Sequence, residues 1–419
     1  MIDFSRHTLG NGLRIIHNYD PSTAMVALNV LYNVGSRDES EEMTGLAHLF
    51  EHLMFGGSEN IPDFDAAIEM AGGTNNAWTS ADFTNFYDIA PASNAETLFW
   101  LESDRMLGLA FSEKSLRIQK DVVIEEFKQT HLNRPYGDLS HKLHALIYKT
   151  HPYRWPTIGL EISHIEKVTL PDVRRFFYSH YAPNNAVLAV SGNITFDETL
   201  RLAEKWFGPL PRRETAPRTW LPEATVTEPR HQTVTSPDVP QALVVTAFPM
   251  AAYGKKGYLE CDILTDILSA GRASRFFRRL VMGTDIFTDA DASISGYDEE
   301  GFLMLTGRLA DPSPATVEKA TGMLFEQAAA LAREGDITPE EVERANNRSQ
   351  SDTTFASMSY LEKAQALAMA EMHGEDVNSL DSRRRAISIA DLRAAAGEVI
   401  RPERACTLVY LPENTTERQ

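Results

Sequence analysis

Cysteine is nearly missing. Cys261 and Cys406 are the only two in 419 residues, and neither lies in a C-x-x-C or other metal-ligand spacing. That excludes a disulfide scaffold and a thiolate metal site, and leaves two buried thiols in a reducing compartment as the expectation. No run of 18 apolar residues occurs, so no membrane span is expected. The first residues, Met1-Ile2-Asp3-Phe4-Ser5-Arg6-His7, lack a basic stretch followed by an apolar one, so no signal peptide is expected either. A cytoplasmic location follows, or a periplasmic one if a leader has been removed. Positive charge is short as well: 40 Lys and Arg stand against 59 Asp and Glu, a formal net charge of −19. Phosphate repulsion makes nucleic acid an unexpected partner for such a chain.

What is present has a globular composition, 43% hydrophobic and 24% charged. The length exceeds one ordinary core and predicts two or more domains. The stretch that carries chemistry runs from Thr44 to Phe55. His48, Glu51 and His52 fall at i, i+3 and i+4, which on a helix puts all three on one face. Two imidazoles so spaced can hold one zinc ion, and a carboxylate between them can reach a water at the metal. The order H-x-x-E-H is the inverse of the commoner H-E-x-x-H zinc motif. The competing reading is an amphipathic helix, with Leu46, Leu49, Phe50 and Leu53 as its apolar face. Two histidines and a glutamate among buried aliphatics are costly without a partner, which favours the metal.

A catalytic zinc takes three protein ligands. Asp121-Val122-Val123-Ile124-Glu125-Glu126 offers three acids on a predicted helix over 113–131. If that helix packs through Val122 and Val123, Glu126 shares their face and Glu125 lies about 100° away. Composition alone leaves the choice open. His141, His144 and His151 have no acid or cysteine cluster beside them and read as ordinary surface or half-buried histidines. Arg37, Asp38 and Glu39 read as a solvated turn with local ion pairs, with support of the metal helix as the alternative. Thr44 is the expected cap of that helix, and Gly56-Gly57 its end.

Elsewhere, Gly10-Asn11-Gly12 predicts a hairpin over 7–18, residues 24–33 a strand, and 74–90 two strands turning near 80–82. Pro209, Pro211, Pro217, Pro222 and Pro229 mark residues 209–230 as a Pro-rich linker. It separates a first half, 1–208, carrying the metal motif, from a second, 231–419, without one. The halves repeat: Val168 to Arg174 and Ile387 to Arg393 each lead, eleven residues after an Asp, to Pro183 and Pro402, then to a strand. Two related α+β halves are predicted.

Gly45-Leu46-Ala47-His48-Leu49-Phe50-Glu51-His52-Leu53-Met54-Phe55 resembles the signature of the pitrilysin/insulinase metallopeptidases, a family that includes insulin-degrading enzyme, mitochondrial processing peptidase and many bacterial peptidases. Leu9 to Ile15 resembles that family's L-x-N-G-L-x-V strand, Gly73 to Thr79 its G-G-x-x-N-A-[FW]-T strand, and Val122 to Glu126 its V-V-x-E-E helix. The likeness is strongest over 1–210 and diffuse after 240.

The resemblance implies two homologous halves, each a mostly antiparallel sheet packed with helices. It implies Zn2+ held by His48, His52 and Glu126, and Glu51 as the general base of a peptide-bond hydrolase. Asn76, Ala77 and Trp78 would lie on an edge strand that takes the peptide substrate as an added strand. Gln119 stands where members often have a Glu that supports the site. In the second half, members with a complete site carry an Arg and, seven residues on, a Tyr; here those positions fall on Val281 and Thr288, with Arg278 and Arg279 nearby. The expected assembly is a heterodimer whose paralogous partner supplies the Arg/Tyr pair, or otherwise a homodimer. A non-catalytic scaffold subunit of the same family is the alternative function.

Overall fold

The computed structural model describes residues 1–413. The first sheet holds β1 (Ser5–Thr8), β2 (Arg14–Tyr19), β3 (Met25–Tyr32), β4 (Thr74–Thr79), β5 (Thr84–Pro91) and β6 (Ala186–Gly192), in the order β1-β2-β6-β3-β5-β4. The second holds β7 (Arg230–Ser236), β8 (Ala242–Met250), β9 (Phe287–Ser295), β10 (Gly301–Leu309) and β11 (Cys406–Pro412), in the order β7-β11-β8-β10-β9. Apart from β1 the two orders are the same. Each sheet is antiparallel save for one pair, β2 with β6 and β7 with β11, at the matching place. The fold is α+β with two homologous halves, as predicted.

The repeated Asp is the start signal of a repeated helix. Helix Leu170–His180 is capped by Thr169, whose N–H donates to Asp172 at 3.0 Å. Helix Ile389–Val399 is capped by Ser388, whose N–H donates to Asp391 at 3.2 Å, while Asp391 N–H donates back to the Ser388 hydroxyl at 3.1 Å. These reciprocal capping boxes explain why the pattern was visible as sequence. Each helix runs through a proline-led 3-10 turn into a buried strand, β6 or β11.

The compact units do not follow the contiguous boundaries 1–208 and 231–419. Among the described residues, one unit is Met1–Phe127, Trp155–Thr219 and Asp352–Leu380; the other is Lys128–Arg154, Trp220–Ser351 and the residues from Asp381 on. Burial supplies the reason. One face of the first sheet packs on the helices of its own half, and the other face carries Ile16, Ala27, Leu31, Val187 and Ala189, all buried. Ala364, Leu367 and Ala368 of helix Tyr360–His373 cover it. In the second unit, the helix Leu139–Ile147 does the corresponding work: Arg230 of β7 donates to the carbonyls of Leu146 and Ile147 at 2.6 and 2.7 Å. Hydrophobic periodicity says that a strand is covered on both faces, and cannot say from where.

Residues 209–229 hold no regular element, and β7 begins at Arg230, the end of the predicted linker. Among the described residues no helix is long and apolar enough to cross a membrane.

Candidate metal centre

The motif lies on α1 (Leu46–Leu53), against which α4 (Glu113–Phe127) packs; α2 (Phe64–Met70) and α3 (Ala95–Leu107) belong to the same unit. Leu46, Ala47, Leu49, Phe50 and Leu53 of α1 are buried in the core, so His48, Glu51 and His52 are left together on the other, half-buried face. The helix starts at Gly45 with φ +85°, where a Cβ would meet the Ile158 carbonyl oxygen at 2.6 Å. Only glycine suits that backbone in that space.

The cap differs from the expected Thr44. The Glu39 carboxylate accepts the N–H groups of Gly45 at 2.8 Å and Ala47 at 2.7 Å. It satisfies donors that the first turn leaves free and sets negative charge at the positive end of the helix. Burial pushes the Glu39 carboxyl up, and the amide hydrogen bonds oppose that. Thr44 instead bonds His164 Nδ1 at 2.8 Å and accepts the Leu160 N–H at 2.8 Å. The solvated turn at Arg37, Asp38 and Glu39 is thereby corrected. Arg37 is buried and pairs with Asp82 at 2.6 Å, and Arg218 pairs with Asp38 at 2.9 Å. Each buried charge has its partner, as the cost of desolvation demands.

On α4 the packing seam is Leu116, Val123 and Phe127, and Val122 is exposed, contrary to the predicted contact through both valines. Glu126 follows Val123 by three residues and turns with it toward α1; Glu125 is exposed. The Glu126 Oε2 atom lies 3.7 Å from His48 Nε2 and 3.4 Å from His52 Nε2. Among the described residues this is the only trio of metal-capable side chains whose donor atoms fall within 4.8 Å of one another. A tetrahedral zinc with bonds of 2.0–2.1 Å would set its donors roughly 3.3 Å apart, so two nitrogens and one oxygen at these distances suit it. Gln119 is half-buried on α4, two turns before Glu126 and on its face.

Glu51 is held from a neighbouring strand. The Thr79 hydroxyl donates to Glu51 Oε2 at 2.6 Å. Burial pushes the Glu51 carboxyl above its ordinary range, while Thr79 and then His52 pull it back. A raised carboxyl suits a proton acceptor working near neutral pH. Thr79 ends β4, which pairs with β5 alone and forms the edge of its sheet. Strand alternation puts Asn75, Ala77 and Thr79 on the α1 face. Trp78 points the other way, against the cluster that helix Tyr360–His373 completes. Asn76, Ala77 and Trp78 are thus on an edge strand, and Trp78 turns its ring from the metal face. An open cleft beside them is lined by Glu51, His52, Phe55, Asp65, Asn75 and Asn76.

For Glu39 the structure bears out the alternative expectation, support of the metal helix, and sequence reasoning missed Thr79. For Thr79 a signal existed, because the even spacing from Ala77 puts both on one face. His141, His144 and His151 form no metal cluster: His144 Nδ1 bonds the Tyr153 carbonyl at 2.6 Å, and burial pushes its pKa down to about 4. In the second unit Val281 closes a π-helical turn, Phe277–Val281. Thr288 lies on the edge strand β9 and accepts from Gln241 Nε2 at 2.7 Å.

Residues 14–160 match the family model described as Insulinase (Peptidase family M16), and residues 167–349 match that of the Peptidase M16 inactive domain. Zinc protease PqqE of Helicobacter pylori is 26% identical over 414 residues, 97% of this chain and 92% of that protein. A protease from Helicobacter pylori has the same fold, with TM-score 0.90 at 24% identity over 98% of this chain and 100% of that one. The periplasmic protease PqqL from Escherichia coli matches with TM-score 0.80 at 18% identity, over 100% of this chain but 48% of its own length. With both halves matched by models of one family, the chain belongs to peptidase family M16, the insulinase family.

Proposed function

We propose that this chain is a zinc-dependent endopeptidase of peptides or unfolded segments, and the catalytic subunit of a heterodimer that closes on its substrate. The observation that carries the reading is the convergence of His48, His52 and Glu126 within 4.8 Å, with Glu51 one helical turn from His48. His48, His52 and Glu126 would hold the zinc ion, which when bound would supply Lewis-acid chemistry and a more acidic water. Glu51 takes the proton of the attacking water and passes it to the leaving amine. The edge strand β4 binds the peptide through main-chain hydrogen bonds, which explains tolerance of varied sequences. Gln119 supports Glu126 from the same face, less strongly than a carboxylate would.

The partner follows from the second unit, where Val281 and Thr288 occupy the Arg and Tyr positions. A paralogous subunit supplies the pair; a homodimer is the fallback. The similarity of this chain to 48% of PqqL accords with a second, comparable half being needed. A cytoplasmic location is supported by two free, buried cysteines, and cell fractionation tests it.

The alternative is a non-catalytic scaffold, and the missing Arg/Tyr pair favours it. Metal analysis with Glu51→Gln separates the two. The peptidase reading expects about one zinc per chain in both proteins and loss of turnover of a quenched peptide by roughly 10²–10⁴-fold in the variant, with the partner present. Equal rates for the two proteins, or a chain without zinc, sink it.

A further inference from the structure

We propose that Thr79 is a positioning residue for the base, so that the strand which pairs with substrate also sets where Glu51 points. The inference rests on the peptidase reading above and concerns a residue to which that reading gives no role. Three observations carry it. The Thr79 hydroxyl donates to Glu51 Oε2 at 2.6 Å, which engages one carboxylate oxygen and leaves Oε1 to receive a proton. Thr79 is the last residue of β4, the edge strand, and lies on the face of that strand turned to α1.

The third observation is that the strand end is itself anchored. Ser80 closes the turn to β5, its hydroxyl accepting the N–H groups of Asp82 at 3.2 Å and Phe83 at 3.0 Å. The same turn is tied to the segment before α1. Ser36 N–H donates to the Ser80 carbonyl at 3.1 Å, Arg37 N–H to the Ala81 carbonyl at 3.0 Å, and the Arg37 guanidinium pairs with Asp82 at 2.6 Å. Gly35 sits so close to Ala81 that a Cβ has no room there. Two residues past Arg37, Glu39 caps α1. The end of β4 is therefore joined to α1 twice: directly by Thr79 to Glu51, and through the turn, Arg37 and Glu39 to the first turn of the helix. A hydroxyl held so rigidly fixes its acceptor, where a free glutamate would sample several rotamers.

The test is Thr79→Val beside Thr79→Ser, in the full chain loaded with zinc and assayed with its partner, with wild type and Glu51→Gln alongside. Loss of one hydrogen bond to a carboxylate predicts a fall in kcat of roughly ten- to hundred-fold for the valine variant. KM should stay within about twofold, and Thr79→Ser should restore most of the rate. Zinc content and the affinity of the zinc-free protein for a fluorescent, non-hydrolysable peptide should match wild type, because the ligands and the backbone of β4 are untouched. A valine variant with unchanged kcat overturns the proposal. So does a serine variant as impaired as the valine one, or a loss confined to KM or peptide affinity, since each makes Thr79 a packing or binding residue. If the valine variant loses zinc or melts early, Thr79→Ala against Thr79→Ser is judged by the same criteria. Equal rates for wild type and Glu51→Gln would instead remove the peptidase reading, and the role of Thr79 with it.

Discussion

Helix α1 of the first unit and helix Tyr258–Ser269 of the second occupy matching places, after β3 and β8, yet among the described residues only α1 contributes to a cluster of metal-capable side chains. Both start at a left-handed glycine, Gly45 with φ +85° and Gly257 with φ +99°. Both have a carboxylate on the glycine N–H at 2.8 Å, from Glu39 in one and from Glu260 in the other. Counted from the glycine, His48, Glu51 and His52 correspond to Glu260, Ile263 and Leu264. Ile263 and Leu264 are fully buried, together with Cys261, Ile267 and Leu268. The second helix runs to 12 residues and is covered on nearly every side, whereas α1 has 8 and keeps one face half-open beside α4 and β4. One fold thus uses the same helix as core in one half and to bring metal-capable side chains together in the other. The difference lies in which face is left uncovered and in whether an acid arrives opposite it.

That contrast can be broken from either side. The largest effect is expected at the acid on α4. Glu126→Gln should weaken zinc binding by more than about 100-fold, since it removes one of three ligands, while Glu125→Gln should leave affinity within about twofold. Competition with a chromophoric chelator measures both. Comparable losses from the two variants would show that Glu125 contributes to the metal site as much as Glu126 does.

Next come the matched positions on the two helices. Leu264→Ala should cost about 2–5 kcal/mol, as expected of a fully buried leucine, and His52→Ala in zinc-free protein under about 1 kcal/mol. Chemical denaturation reads both, and similar costs would show that α1 is held by its polar face as firmly as its counterpart is by its core.

A further effect is expected at His144 in the second unit. Burial holds the pKa of His144 at about 4, below the ordinary 6.5. The folded state therefore keeps this imidazole neutral while the unfolded chain takes up a proton. Stability is unaffected above pH 6.5, declines as pH falls below it, and levels off below about 4, with a total loss of up to about 3 kcal/mol. His144→Gln should flatten that decline in denaturation curves taken from pH 7 to 4. An unchanged slope would assign the acid sensitivity elsewhere.

Much of the fold was legible because its signals are local. The hairpin at Gly10-Asn11-Gly12, the strands at 24–33 and 74–90, and the repeated helix before Pro183 and Pro402 all announce themselves within a dozen residues. They appear as β1 with β2, β3, β4 with β5, and the two capped helices. What was not legible depends on residues far apart in the chain. Helix Tyr360–His373 covers the first sheet from beyond the linker, and nothing within it names its target. For Glu39 the sequence leaves a solvated turn and support of α1 both open, and only the folded chain shows it accepting the amides of α1.

The spacing of His48, Glu51 and His52 by itself determined that these three side chains would share a helix face, because 3.6 residues per turn permits nothing else. The sequence also determined that two halves would repeat, since both carry the same capping pattern ahead of matching strands. Which acid completes the trio, which hydroxyl holds Glu51, and which helix closes the first sheet were decided by tertiary structure alone. Each of those choices is a contact between segments whose separation along the chain leaves no periodic trace, and distance in space enters only when the chain packs.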